Sequence, residues 1–115
     1  MAWAIDARIP VRLGAIADAA DDDAVLVEGS LPACAHPAER FDPAPPGHAP
    51  GCACCAPRSG AARALDRLFQ RRARGEVPFF RRVLAVTATP GGDLEVCSAL
   101  RDDNLASARF RLDDR

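Results

Sequence analysis

At 115 residues the chain has the length of one domain, and a body of this size buries roughly two-thirds of the surface its extended chain would expose. Hydrophobic residues make up 49% of it and charged residues 27%, a balance that excludes a disordered chain. All fifteen basic residues are arginine against sixteen acidic ones, so the net charge of -1 excludes global attraction to nucleic acid or anionic lipid, and the absence of lysine excludes any chemistry that needs one.

The opening Met-Ala-Trp-Ala-Ile-Asp-Ala-Arg lacks the basic start and long apolar run of a signal peptide, and no stretch reaches membrane-spanning length. A cytoplasmic protein with no membrane partner is expected. Residues 9–13 read as a short strand with Pro10 near its start, where a missing ladder bond matters least, and Gly14 ends it. Residues 15–23 are alanine-rich with an acidic tail, compatible with a helical turn or two. Asp18, Asp21, Asp22 and Asp23 lack the glycine and glutamate of a calcium loop and are expected to be a solvated turn. Residues 24–27 follow as a buried-type strand.

Prolines 32, 37, 43, 45, 46, 50 and 57 make residues 29–57 a long loop, and it holds four of the five cysteines and both histidines. Ser59 can cap the next segment, in which Ala61, Ala62, Leu65, Leu68 and Phe69 recur at helical spacing and Gly75 stands just past the end. Arg63, Arg67 and Arg71, with Arg74 close by, form a basic stripe that is expected to be a solvated face, or else to meet phosphate or an acidic partner. Residues 82–87 read as a buried strand, and Pro90-Gly91-Gly92 as the turn away from it. Residues 94–108 hold a short helix, and 109–112 alternate as a half-exposed strand. The expected fold over 1–115 is a single α/β domain. Its small, mostly parallel sheet has three to four strands, with one main helix and the Pro/Cys-rich loop on an edge.

Five clustered cysteines in a reducing compartment favour metal or redox chemistry over a disulfide framework. Cys52, Cys54 and Cys55 form Cys-X-Cys-Cys, which puts three soft thiolates within a span that one bend can fold around a zinc or copper(I) ion. The fourth ligand is sought among Cys34, His36, His48 and Cys97, and Cys34 is preferred. The alternative is a tight turn whose small thiol side chains pack beneath the following helix. Taken singly, His36 and His48 are expected to be solvated and Cys97 to lie in the core.

Gly51-Cys52-Ala53-Cys54-Cys55, then Arg58, a helix, and Val77-Pro78-Phe79-Phe80-Arg81-Arg82-Val83-Leu84 resemble the CobW family of metal-chaperone GTPases. The run from Asp103-Asn104-Leu105 to Arg109-Phe110-Arg111-Leu112-Asp113 is similar to that family's next segment, and Ile9-Pro10-Val11 to its opening strand. The resemblance implies a protein that delivers zinc or cobalt to a client protein, with Cys52, Cys54 and Cys55 holding the metal.

The nucleotide half does not carry over. A P-loop needs Gly-X-X-X-X-Gly-Lys-Ser/Thr, whereas Gly14-Ala15-Ile16-Ala17-Asp18 follows the first strand, and Val86-Thr87-Ala88-Thr89 stands where the family has Glu-Thr-Thr-Gly. The expectation is a non-enzymatic metallochaperone or metal sensor with no catalytic residue, no nucleotide and no nucleic-acid partner. The alternative is a pseudo-GTPase interaction module that docks on a relative, a second copy or another protein by a sheet edge or the arginine stripe, its cysteines used only for packing.

Overall fold

The computed structural model describes residues 6–43 and 58–113. Its elements in chain order are β1 (Ile9–Leu13), a 3-10 turn (Ile16–Asp18), β2 (Asp23–Glu28), β3 (Ala38–Phe41), α1 (Gly60–Ala73), β4 (Arg82–Val86), α2 (Pro90–Asp102), α3 (Asn104–Arg109) and β5 (Phe110–Leu112). The strands form one all-parallel sheet in the order β3-β2-β4-β1-β5, with Val11 opposite Val83, Leu26 opposite Ala85 and Ile9 opposite Phe110. The α/β class and parallel sheet match the expectation, with five strands in place of three to four.

Two steps of the chain move toward the β3 edge, β1 to β2 and β2 to β3; the other two, β3 to β4 and β4 to β5, move toward the β5 edge. Because parallel crossovers are right-handed, opposite directions of travel lie on opposite faces. The three helices all touch one another on one face. Beneath them Val11, Leu26, Val83, Ala85 and Phe110 meet Leu65, Leu68, Val96 and Leu100 in one core, and the rings of Phe69 and Phe110 pack edge to face at 6.2 Å.

Strand alternation turns Val25, Val27 and Leu84 to the other face, where they are 0%, 5% and 1% exposed without any α-helix above them among the described residues. The first crossover runs over this face, close enough that a methyl group added at Gly14 would meet Leu84 Cδ1 at 3.0 Å.

Local chemistry explains most boundaries. Ser59 Oγ accepts the amide of Ala62 and starts α1, while Gly75, at φ +72, ends the turn after it in the left-handed region that suits glycine. Arg72 ties the chain after α1 to the helix, donating from Nε to the Phe80 carbonyl at 2.9 Å with its guanidinium 4.0 Å from the Phe79 ring centre.

Two expectations need correction. The 29–57 loop contains β3, which fits in the proline-free interval after Pro37 and lies at the sheet edge, where a preceding proline is tolerated. Pro90-Gly91-Gly92 is the first turn of α2 and no loop: Thr89 caps it and Pro90 takes the first helical position, where a missing N–H costs nothing. Consequently residues 94–108 hold most of two helices in place of one.

Candidate functional site

In an open parallel sheet, ligands are expected at the carboxyl ends of neighbouring strands whose crossovers leave in opposite directions. Here β4, which leaves toward the β5 edge, lies between β2 and β1, which both leave toward the β3 edge. No α-helix follows β1 among the described residues. The Gly14 amide bonds the Ala85 carbonyl at 3.1 Å and the Asp18 carboxylate accepts from the Ala15 amide at 3.1 Å, so the segment closes on itself as a 3-10 turn.

The amides that follow β4 are also occupied. Glu28, at the carboxyl end of β2, accepts from Ala88 N at 2.7 Å, Thr89 N at 3.0 Å and Thr89 Oγ1 at 2.7 Å. Thr89 Oγ1 in turn accepts from Gly92 N at 3.0 Å, and Thr87 donates to Asp93. Desolvation by the helix end raises the Glu28 carboxyl, but donation from the Thr89 hydroxyl and the two amides outweighs it, and the net shift is down. A carboxylate of the protein itself therefore sits where the N-terminus of α2 offers its positive end.

A second corner forms where β3 ends and α1 begins. A methyl group added at Gly60 would meet the Asp42 carbonyl at 3.0 Å, so this glycine is what lets the two backbones approach. Residues 44–57, among them Cys52, Cys54, Cys55 and His48, lie outside the described residues; the chain leaves for them and returns from them at this one corner.

The returning chain is fastened by Arg58. Its Nε and Nη2 donate to the two oxygens of Asp103 at 2.8 and 2.6 Å, and Nη1 pairs with Asp66. Asp103 also accepts the Ala106 amide at 2.9 Å to start α3. The fork-to-fork pairing with Asp103 and the bond to Asp66 push the Arg58 guanidinium up, and Arg58 holds the Asp103 carboxyl below its usual range. Arg109 Nη1 lies 3.7 Å from Asp66 and its guanidinium 4.3 Å from the Phe69 ring centre, so α1, the α2–α3 junction and the chain before α1 share one ionic seam.

The arginine stripe proves to be largely engaged. Arg67 reaches Glu39 at 2.6 Å and the Arg40 carbonyl at 3.2 Å; Arg71 reaches Glu39 at 2.9 Å and the Ala38 carbonyl at 3.1 Å. Pro37 and Phe41 turn their carbonyls to β2, so those of Ala38 and Arg40 face outward, and the two guanidiniums cap the open edge of β3. Of the stripe, Arg63 makes no side-chain bond to any described residue.

Cys34 is exposed in the β2–β3 crossover, its sulfur 3.9 Å from the His36 carbonyl. His36 is half-buried and bonds through Nδ1 to the Asp23 carbonyl at 3.0 Å, at the amino end of the sheet, instead of lying free in solvent. Cys97 is half-buried on α2. No three potential metal ligands gather among the described residues. Asp23 leaves the acidic run altogether: it is 2% exposed and holds the Ala20 amide at 2.9 Å and Arg82 Nε at 3.0 Å, while Asp22 pairs with Arg81.

No described helix is long and apolar enough to cross a membrane. No family model, no curated protein and no solved structure matches this chain.

Sequence reasoning did not find Glu28, Arg58 as a clamp, or Glu95, whose carboxylate accepts the Ala61 amide at 3.1 Å at the start of α1. The one signal for a helix start here was Thr89 followed by Pro90, a cap and a first helical position that were read as a turn.

Proposed function

We propose that the chain is a non-enzymatic metal-binding protein, akin to the CobW metal chaperones, that holds zinc, or else cobalt or copper, on Cys52, Cys54 and Cys55 and passes it to a client or senses it. The observation that carries this reading is the Cys-X-Cys-Cys spacing, three soft thiolates within four residues.

Cys34, the fourth ligand in this reading, lies in the β2–β3 crossover beyond the amino end of β3, a strand about 13 Å long that ends at the corner. Cys52 is six residues from Arg58, and a chain of that length spans up to roughly 20 Å. The reading asks nothing of a nucleotide: the chain has no lysine, and the amides after β4 already bond Glu28.

The test is to purify the protein without chelator, count metal per chain and titrate thiols before and after a strong chelator. About one ion per chain, lost when Cys54 and Cys55 become alanine, is the expected result. Metal-free protein that takes up no zinc on addition would end this reading, and micromolar binding of labelled GTP would contradict the nucleotide-free mechanism.

A second reading, docking by a sheet edge, is favoured by one observation. The arginine caps close the β3 edge, whereas no side chain bonds the backbone of β5 among the described residues and Leu112 is 39% exposed there. Concentration-dependent association on a sizing column, abolished by Leu112→Arg in metal-free protein, would select it.

A further inference from the structure

We propose that the cleft between the end of β3 and the first two turns of α1 binds a phosphate-type oxyanion. The cleft has a volume of about 270 Å³ and is lined by Arg40, Phe41, Asp42, Gly60, Arg63 and Arg67. Its wall thus carries three guanidiniums and one carboxylate. That carboxylate is taken, since Asp42 accepts from Arg40 Nη2 at 2.6 Å, and Glu39, which engages Arg67, is divided between Arg67 and Arg71. Of the three, Arg40 is paired with Asp42 and Arg67 with Glu39, whereas Arg63 has no carboxylate partner among the described residues.

The three guanidiniums are not equivalent. Arg40 is held by its bond from Nε to the Gly29 carbonyl at 2.7 Å and by Asp42, and Arg67 is held by Glu39 and the Arg40 carbonyl. A guanidinium has five N–H donors, and each of these two spends two of them on the protein, so three remain on a side chain already fixed in place. A ligand that meets them avoids most of the cost of ordering a long side chain.

Arg63 spends no donor on any described residue and can close over the bound group. Three arginines lining one cavity match a group with three or more acceptor oxygens and a double negative charge, which a phosphate provides and a single carboxylate does not. The site stands at the carboxyl edge of the sheet, beside the Glu28-filled crevice, and does not rest on the metal reading.

The experiment titrates the full-length protein at low salt with inorganic phosphate and pyrophosphate, and with malonate as a carboxylate of equal charge, followed by calorimetry. Saturable binding of the phosphates at roughly millimolar concentration is expected. Arg63→Ala weakens it about tenfold with an unchanged melting temperature, Asp42→Asn tightens it, and Arg74→Ala, on the same helix but paired with Glu76 outside the cleft, leaves it alone. Equal losses in the Arg63 and Arg74 variants would show diffuse charge instead of a site. Malonate binding as tightly as phosphate, or no saturation in the unaltered protein, would equally overturn the proposal.

Discussion

The two faces of the sheet are built from the same five strands yet covered in different ways. One lies under α1, α2 and α3; the other is crossed by two connections of nine residues each, 14–22 and 29–37. A helical crossover needs a dozen residues or more, so nine residues can carry the chain over a neighbouring strand but cannot add a helix on the way. The right-handed rule then gathers every helix on one side. The consequence reaches function: the helix that would follow β1 in a doubly wound sheet, and whose N-terminus receives phosphate, is not among the described elements, and polar groups at that edge come from β2, β3 and the starts of α1 and α2.

The sharpest way to break this contrast is to cut a cavity under each cover. Leu65 on α1 and Leu84 on β4 are both shut off from solvent, but Leu65 is walled by helices and strands while Leu84 lies beneath a single turn of loop. Leu65→Ala is expected to lower stability by about 3 kcal/mol and Leu84→Ala by about 2, because a thin layer collapses into the void more readily. Urea denaturation of the two variants decides it. A larger loss at Leu84 would mean that the loop-covered face is the more rigidly packed of the two.

The contrast sharpens at the ionic seam, which belongs wholly to the helical face. Arg58→Ala leaves Asp103 and Asp66 without their main partner and is expected to cost about 2 kcal/mol at neutral pH, allowing for its partial exposure. The pH dependence has a definite sign. Arg58 holds the Asp103 carboxyl below its unfolded value of about 4, so its contribution is complete above that pH and is lost as pH falls through the folded value. Thermal unfolding should therefore fall steeply below about pH 4 in the unaltered protein and more gently in the variant. Parallel acid limbs would show that the seam contributes nothing through Asp103.

These same elements show how much of the molecule the chain announced. β1, β2, β4 and α1 were legible because each is an uninterrupted period-2, buried-apolar or period-3.6 pattern with its own cap, Gly14, Ser59 and Gly75 among them. β3 was hidden because Ala38-Glu39-Arg40-Phe41 has two charged residues and prolines on both sides. Its stability comes from the register with β2 and from two arginines supplied by a helix more than twenty residues later, which no local window contains. The site was less legible still. The stripe of Arg63, Arg67 and Arg71 was visible as a pattern, but whether each guanidinium faces solvent, an acid or a carbonyl is settled by tertiary placement. Asp23 shows the same thing, since its neighbours Asp21 and Asp22 are exposed while it is buried against Arg82.

Glu28 gives the smallest effect and the finest test, because a sign is at stake as well as a size. A Cβ at Gly92 would fall 1.9 Å from Glu28 Oε1, so Gly92→Ala must push the carboxylate off the amides of Ala88 and Thr89. Losing such a cap costs about 1 kcal/mol, and Glu28→Ala should cost a similar amount directly. Alanine at a helical position otherwise gains roughly 0.5–1 kcal/mol over glycine by restricting the unfolded chain. With Glu28 present the lost cap outweighs that gain and Gly92→Ala destabilises. With Glu28 already replaced by alanine nothing obstructs the new methyl group, and the same substitution should stabilise. A double-mutant cycle in denaturant reads this reversal as a coupling of about 1 kcal/mol. Additive effects would mean that Glu28 does not hold the start of α2, and that the amides after β4 are open to a ligand after all.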